Sequence, residues 1–267
     1  MNTIFDHIAQ DYDKEFTDTL IGKAQRDLVW EYLNKQLPEN KELNILELNC
    51  GTGEDAVFMA GKGHQVLATD NATKMLEVTS QKAFDFGLEE KIRIQHCSLD
   101  TIQQNDFPEK FDLIFSDFGG LNCISPDKLK VFFETSTALL KSDGRMILVI
   151  MGRFCLWESL YYMAKMKIKS AFRRLNRKSV NAKVGEEEMS IWYYSAGNIK
   201  KSSKDKFEVN CVLPVGIFIP PSYLNPFFKP RIKLFAFLLK MEKKVKKISF
   251  YHKIADHYLI DLKRKEK

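Results

Sequence analysis

Runs of apolar, β-branched residues alternate with helix-length segments through the first half of the chain, the pattern of βαβ units around a parallel sheet buried on both faces. Five runs read as strands: Asn44–Leu48, Gln65–Thr69, Ile92–His96, Phe111–Ser116 and Arg145–Met151. Between them Asp55–Gly61, Ala72–Phe86 and Pro126–Leu140 read as helices, the last with Pro126 and Asp127 in its first turn and KSDG as its stop. Ahead of the sheet, Leu28, Val29, Tyr32 and Leu33 fall at helical spacing within Ala24–Leu37, so a helix leads into the first strand.

After Met151 the rhythm changes. Cys155–Leu175 reads as one long helical stretch, aromatic at first and basic later, followed by NRKSVNAKVGEEE as a mobile surface loop. MSIWYYS then reads as a strand, Ala196–Lys204 as a short helix and KFEVNCVLPVGIFI as another strand. Ile232–Ile248 is an amphipathic helix with a lysine-rich end, and DHYLIDLKR has the alternation of an antiparallel strand near the end of the sheet. The expected division is 1–43 as an N-terminal lid and helix, 44–151 as the core, 152–190 as a helical cap, and 191–267 as the part that completes the sheet. There are no internal repeats.

Composition changes this picture in one respect. The 267 residues, 45% hydrophobic, suffice for a sizeable core, and the formal charge is +6. Residues 1–150 hold 15 Lys and Arg against 25 Asp and Glu, whereas 151–267 hold 26 against 10. Acidic partners, such as an anionic or carrier-bound substrate or a lipid surface, would therefore meet the second part. No uncharged apolar run approaches the roughly 18 to 20 residues that span a bilayer, and no leader pattern opens the chain, so the expectation is a cytoplasmic protein with at most peripheral membrane contact. The five cysteines, Cys50, Cys97, Cys123, Cys155 and Cys211, are scattered and never at CxxC spacing, which suggests neither a disulfide framework nor a zinc site. No metal is expected.

Chemistry concentrates in ILELNCGTGEDAVFMA, Ile45–Ala60, where a strand stops in a glycine-rich turn before a helix. Such a turn brings backbone N–H groups close to a ligand. Gly51, Gly53 and Ala56 read as G-x-G-x-x-A, and Asp70 ends the next strand, where a carboxylate accepts ribose hydroxyls. By itself this fits NAD as well as S-adenosylmethionine.

The surrounding residues resemble one family. ELNCGTGEDA resembles motif I of the class I S-adenosylmethionine (SAM)-dependent methyltransferases, with Glu47 as the acid at the strand end and Gly51 and Gly53 as the second and third glycines. ATDNATKMLE resembles the next element, FDLIFSDFGGLN the motif at the fourth strand, and ALLKSDGRMILVIMG the helix, turn and fifth strand after it. FDHIAQDYDKEF resembles the N-terminal segment of small-molecule members. The resemblance covers residues 1–150 and is loose beyond them. It implies an α/β fold, doubly wound, with a mostly parallel seven-stranded sheet, an antiparallel C-terminal strand and a cap insertion. It also implies SAM as cofactor and S-adenosylhomocysteine as product. The cofactor residues it implies are Tyr12, Glu47, Asn49, Gly51, Gly53, Asp70, Asn71, Met75, Ser98, Leu99 and Asp117. Two positions depart from the pattern. Asn49 stands where the first glycine is usual, which a left-handed asparagine tolerates, and Ser98 stands where an aspartate contacts adenine.

The activated sulfonium needs mainly a positioned nucleophile and excluded water. Asp117, His7 and Tyr12 are the candidate catalytic groups, with Asn122, Trp157, Tyr161 and Tyr162 as further pocket candidates. DFGGLN lacks the N/D-P-P-Y box, which disfavours an adenine or amide nitrogen acceptor and points to a small or lipid-like molecule attacked at oxygen, nitrogen or carbon. Nucleic acid is disfavoured because no dedicated binding module accompanies the basic charge. Two alternatives stand beside methyl transfer. One is an NAD(P)-dependent oxidoreductase, for which Tyr161 and Lys165 have the Tyr-x-x-x-Lys spacing. The other is a non-catalytic partner protein of the same fold, left open by Asn49 and Ser98.

Overall fold

The computed structural model describes residues 3–107, 109–184 and 187–266. Each apolar run of the first half forms a strand: β1 Asn44–Leu48, β2 Gln65–Asp70, β3 Ile92–His96, β4 Phe111–Ser116 and β5 Leu140–Met151. They are joined by α1 Leu20–Gln36 before β1, α2 Glu54–Ala60, α3 Thr73–Asp85 and α4 Leu129–Leu139. After β5 come α5 Leu156–Ala164, α6 Ile168–Ala171, β6 Val180–Val184, β7 Glu187–Ile191, α7 Ala196–Ser203, β8 Phe207–Val215, α8 Asn225–Phe228, α9 Ile232–Val245 and β9 His257–Arg264.

Seven strands form one sheet in the order β3-β2-β1-β4-β5-β9-β8. The first five are mutually parallel, and β9 runs antiparallel to both β5 and β8. Alternation along the strands sorts side chains into two cores. Ile45, Val66, Phe115 and Val149 face α1, α2 and α3, while Leu46, Leu67, Ile114 and Leu148 face α4 and α7. The sheet is thus doubly wound, as the sequence pattern implies. Strand order reverses between β1 and β4, and in open α/β sheets that switch point leaves a crevice at the C-terminal strand ends.

The second half departs from its sequence reading in three places. Cys155–Leu175 is not one helix: Met166 adopts φ +58°, and the chain breaks there into α5, the single turn of α6 and a 3-10 turn at Arg173–Leu175. The stretch expected as a mobile loop holds a separate two-stranded hairpin, β6 with β7, and its residues 185–186 lie outside the described residues. The strand read in MSIWYYS stops at Ile191, after which Trp192 donates its N–H to the Asn122 carbonyl, at 2.8 Å. KSDG does stop α4, but as a bulge inside β5, between the pairs Phe111↔Leu140 and Leu113↔Arg145. All five cysteines are free.

Two buried polar clusters attach the second half to the sheet. The Glu242 carboxylate on α9 accepts the N–H groups of Gly216, Ile217, Phe218 and Ile219 at 2.6–3.2 Å, so the turn after β8 and α9 fix each other. Arg174 donates to Asp256 Oδ1 at 2.7 Å and to Glu158 Oε2 at 3.0 Å, and Gln25 of α1 donates to Asp256 Oδ2 at 3.2 Å. Arg173 closes the cluster with two bonds to Glu158, at 2.8 and 3.1 Å. Helix α5, the basic turn, the start of β9 and α1 therefore share one charged knot. Burial pushes the Asp256 carboxyl upward, but His257 and Arg174 outweigh it and hold the group well below the usual carboxylate range.

Removing one partner of such a knot strands the other charges. Asp256→Asn is expected to lower unfolding free energy by about 3 kcal/mol near neutral pH. The folded pKa is depressed, so this contribution is present above the unfolded value of about 3.9 and is lost as pH falls toward the folded one. Urea unfolding of wild type and variant should therefore show a wide gap at about pH 7 that narrows below about pH 4; a gap independent of pH would contradict the assignment.

Candidate active site at the ends of β1, β2 and β4

The chain leaves β1 through left-handed residues: Asn49 at φ +51°, Gly51 at +55° and Gly53 at +76°. Asparagine enters this region more readily than other side-chain-bearing residues, so the departure from glycine at position 49 does not break the turn. Its amide adds something glycine lacks. Nδ2 donates to the Asp117 carbonyl at 2.9 Å, and Oδ1 accepts from the Ser116 hydroxyl at 2.5 Å, tying the turn to the end of β4. Gly120 lies against this amide, where a Cβ would stand 1.9 Å from Asn49 Oδ1. At Gly53 a Cβ would stand 2.4 Å from Thr79 Cγ2 of α3, whereas at Gly51 it would meet nothing within 4 Å. One side of the turn is thus packed and the other is open.

Asp70 at the end of β2 organises the open side. Its Oδ2 accepts the Gly51 N–H and its Oδ1 the Ala72 N–H, both at 2.9 Å. Thr79 Oγ1 donates to the Gly51 carbonyl at 2.9 Å. Burial raises the Asp70 carboxyl above its ordinary value, against the pull of these amides.

Beneath the turn lies an acidic pole. Glu47 and Asp117 are buried, and Glu47 Oε2 and Asp117 Oδ2 have no hydrogen-bond partner among the described residues. Asp117 Oδ1 accepts the Phe118 N–H at 2.8 Å. Burial first, and then the neighbouring carboxylates including Asp55, pushes both carboxyls well above their usual range, with Arg26 opposing. Asp55 is held by Trp30 Nε1 at 2.5 Å and faces Arg26 Nε at 3.4 Å. Arg26 also lies over the Phe118 ring, 5.4 Å from its centroid. It is a half-buried cation among buried acids.

The N-terminal segment closes over this pole. Asp13 accepts from Thr52 Oγ1 at 2.5 Å, and Lys82 bridges Asp13 and Glu54 at 2.7 and 2.6 Å. Asp6 accepts the Lys74 N–H at the start of α3, at 2.7 Å. Between the two latches Ala9, Ala72 and Met75 form a small core, with Phe5, Ile8 and Tyr12 packed on it. Tyr12 is half-buried, and its phenol is pushed up by desolvation and by Asp70 and Asp117, with Arg26 opposing.

Of the other sequence candidates, some lie away from the turn and its acidic pole and some border it. His7 is a correction: its side chain is 62% exposed and faces Glu187 of β7 at 3.4 Å, because the lid turns its opposite side, Tyr12 and Ile8, inward. Asn122 is a brace, not a pocket group, since its amide is fully used by Met151 and Trp192. Trp157 donates to the Ile217 carbonyl at 2.8 Å and packs on Phe228. Tyr161 and Tyr162 cluster with Tyr223, and Lys165 donates to the Tyr161 hydroxyl as an exposed pair on one helix turn. Ser98 precedes the 3-10 turn Leu99–Gln104 at the end of β3 without a side-chain capping bond, and both Ser98 and Leu99 are partly exposed there. Asn71 is exposed beside Asp70, with its carbonyl 3.0 Å from His96 Nε2.

Sequence reading passed over Arg26, Asp55, Asp13, Thr52 and Lys82. Only Arg26 carried a signal: it stands at helical spacing with Val29 and Leu33, a charge on the buried stripe of α1. The others acquire meaning through contacts far apart in sequence.

Residues 45–144 match the model of a methyltransferase domain. The tRNA 5-carboxymethoxyuridine methyltransferase of Escherichia coli is 28% identical over 100 residues, 37% of this chain and 38% of that protein. The demethylmenaquinone methyltransferase of Lactococcus lactis is 30% identical over 149 residues, 55% of this chain and 56% of that one. The chain thus spans between about two-fifths and just over half of the length of these curated relatives. A putative S-adenosylmethionine-dependent methyltransferase from Listeria monocytogenes shares the fold with a TM-score of 0.63 at 17% identity, covering 91% of this chain and 99% of its own. The motif order, the matched segment and the doubly wound seven-stranded sheet agree: residues 45–144 are similar to a methyltransferase domain, on a fold shared with that S-adenosylmethionine-dependent methyltransferase structure.

Proposed function

We propose that this protein binds SAM at the ends of β1, β2 and β4 and transfers a methyl group to oxygen, nitrogen or carbon of a small or lipid-like acceptor. The observation that carries the reading is a preorganised left-handed turn set over an acidic pole with two unpartnered carboxylate oxygens. SAM supplies an electrophilic methyl on a sulfonium and carries an ammonium as well, two cations suited to such a pole. Glu47 and Asp117 are the acceptors for that charge, and Arg26, the cation beside them, complements the methionine carboxylate. Asp70, held by the Gly51 and Ala72 amides, presents its remaining acceptor capacity to the ribose hydroxyls. Gly51, on the open side of the turn, and Gly53 and Asn49, which hold its shape, let the ligand approach the backbone. Ser98, Leu99, Asn71 and Met75 frame the adenine end.

Tyr12 and the latched lid exclude water, which strengthens every charge contact beneath them. Asp117, whose Oδ2 is unpartnered at the end of β4 and which is ionised once the cationic ligand is bound, is the group placed to accept a proton from an acceptor hydroxyl. His7, at the outer surface of the lid, takes no part. The acceptor class is supported by the longer match to a relative named for a quinone substrate; the match to the relative named for tRNA is confined to 100 residues.

Isothermal titration with SAM and S-adenosylhomocysteine tests the reading: both should bind, and binding of NADH with neither of them would overturn it. Asp70→Ala is expected to weaken SAM by about 2 kcal/mol, the scale of a hydrogen bond to a charged group. Gly120→Ala should weaken it too, by driving the Asn49 amide out of its bonds, and Asn49→Gly should relieve that clash. A double mutant no better than Gly120→Ala would refute the coupling.

The acidic pole also predicts proton release. Glu47 and Asp117 have raised pKa values in the free protein, so the cationic ligand draws them down and expels protons. SAM affinity should be full above the raised values and fall as pH drops through them. Titrations over a series of pH values, in buffers of different ionisation enthalpy, should show this, and Glu47→Gln should remove much of it.

A further inference from the structure

Helix α9 has an inward side assigned by two residues: Phe235 is buried, and Glu242 is bonded to the four amides of the 216–219 turn. At about 100° per residue the opposite side carries Lys233, Phe237, Lys240 and Lys244. Phe237 is 58% exposed, and Leu234 on its flank and Ile232 at the first position of the helix are exposed as well. From Lys229 to Lys253 the chain has nine basic residues and one acidic residue, Glu242, which is turned inward. Of those nine only Lys246 forms an ion pair among the described residues, with Glu31.

The apolar exposure is continuous with neighbouring elements. Phe228 of α8 touches Trp157 of α5 at 5.9 Å and Phe235 of α9 at 6.1 Å between ring centroids, joining the three helices. Beside it Phe227 is half-exposed under Arg231, and Tyr223 meets Tyr161 of α5. At the far end of α5 the left-handed turn presents Met166, 85% exposed, between Lys165 and Lys167. Single exposed apolar residues are ordinary, but large apolar side chains on adjoining helices, interleaved with uncompensated cations, are not. The lysines match anionic headgroups, and Phe237, Ile232 and Leu234 match the boundary between headgroups and acyl chains. A nucleic acid answers the charge but leaves the aliphatic side chains without a partner. No described helix is long and apolar enough to cross a membrane, so the contact is with its surface.

We propose that the α8–α9 face, with the α5–α6 turn beside it, docks this protein on an anionic lipid bilayer. The proposal stands on this surface alone and does not depend on methyl transfer.

The test is sedimentation of the full chain with phosphatidylcholine vesicles, with and without phosphatidylglycerol. Binding is expected only when phosphatidylglycerol is present, and it should weaken as salt is raised. Lys233→Glu/Lys240→Glu/Lys244→Glu is expected to lower partition by about a hundredfold or more, at about fivefold per lysine. Phe237→Ser/Ile232→Ser should weaken binding by a smaller factor. All five positions are exposed, so thermal melting should match wild type in both variants and exclude misfolding as the cause. No binding to phosphatidylglycerol vesicles, unchanged binding by the folded lysine variant, or binding of tRNA that these vesicles fail to displace would overturn the proposal.

Discussion

The architecture of the site depends on how the chain leaves β1. It must turn within five residues from a buried strand into α2, and it does so through three left-handed residues, the first of them Asn49. A glycine would satisfy the backbone there, but the asparagine amide also spans to Ser116 and Asp117, so the ends of β1 and β4 are fixed as one unit. Gly120 is the complement of that choice, because the amide fills the space a side chain would need. With its carbonyl held by Asn49 and one carboxylate oxygen held by Phe118, Asp117 has only Oδ2 left for a ligand.

Concentrating Glu47, Asp55 and Asp117 below this turn costs stability in the free protein, since burial and mutual repulsion favour protonation of Glu47 and Asp117. Arg26 offsets part of the cost, and a cationic ligand offsets more. The N-terminal segment is held over that pole by two latches, Asp13 to Thr52 and Lys82 and Asp6 to the start of α3, which clamp the stretch that carries Tyr12. The second half is secured in the same manner, by the Asp256 knot and by Glu242. Because those anchors use Glu158 of α5 and Glu242 of α9, Leu160 of α5 and Lys233, Phe237 and Lys240 of α9 remain outside.

The strands, the order of the first four helices and the glycine turn were legible in the amino-acid pattern because each follows from local rules, such as β-branched runs buried on both faces, helical spacing and left-handed turn residues. The break at Met166 and the β6–β7 hairpin were not. No glycine or proline marks the break, and the strands of the hairpin are too polar to stand out. His7 read as a group near the chemistry, but a 3-10 turn carries its side chain outward to Glu187.

By itself the sequence determined the doubly wound core, the adenosyl-type turn and the acids Glu47, Asp70 and Asp117 at successive strand ends, since periodicity and motif spacing depend on neighbours along the chain. Only the tertiary structure decided which groups meet: Arg26 with Asp55, Asp13 with Thr52 and Lys82, Asn49 with Gly120, Asp256 with Arg174. Those pairings join residues 29 to 82 positions apart, and strand order, helix rotation and burial set them together, none of which is written in any one segment.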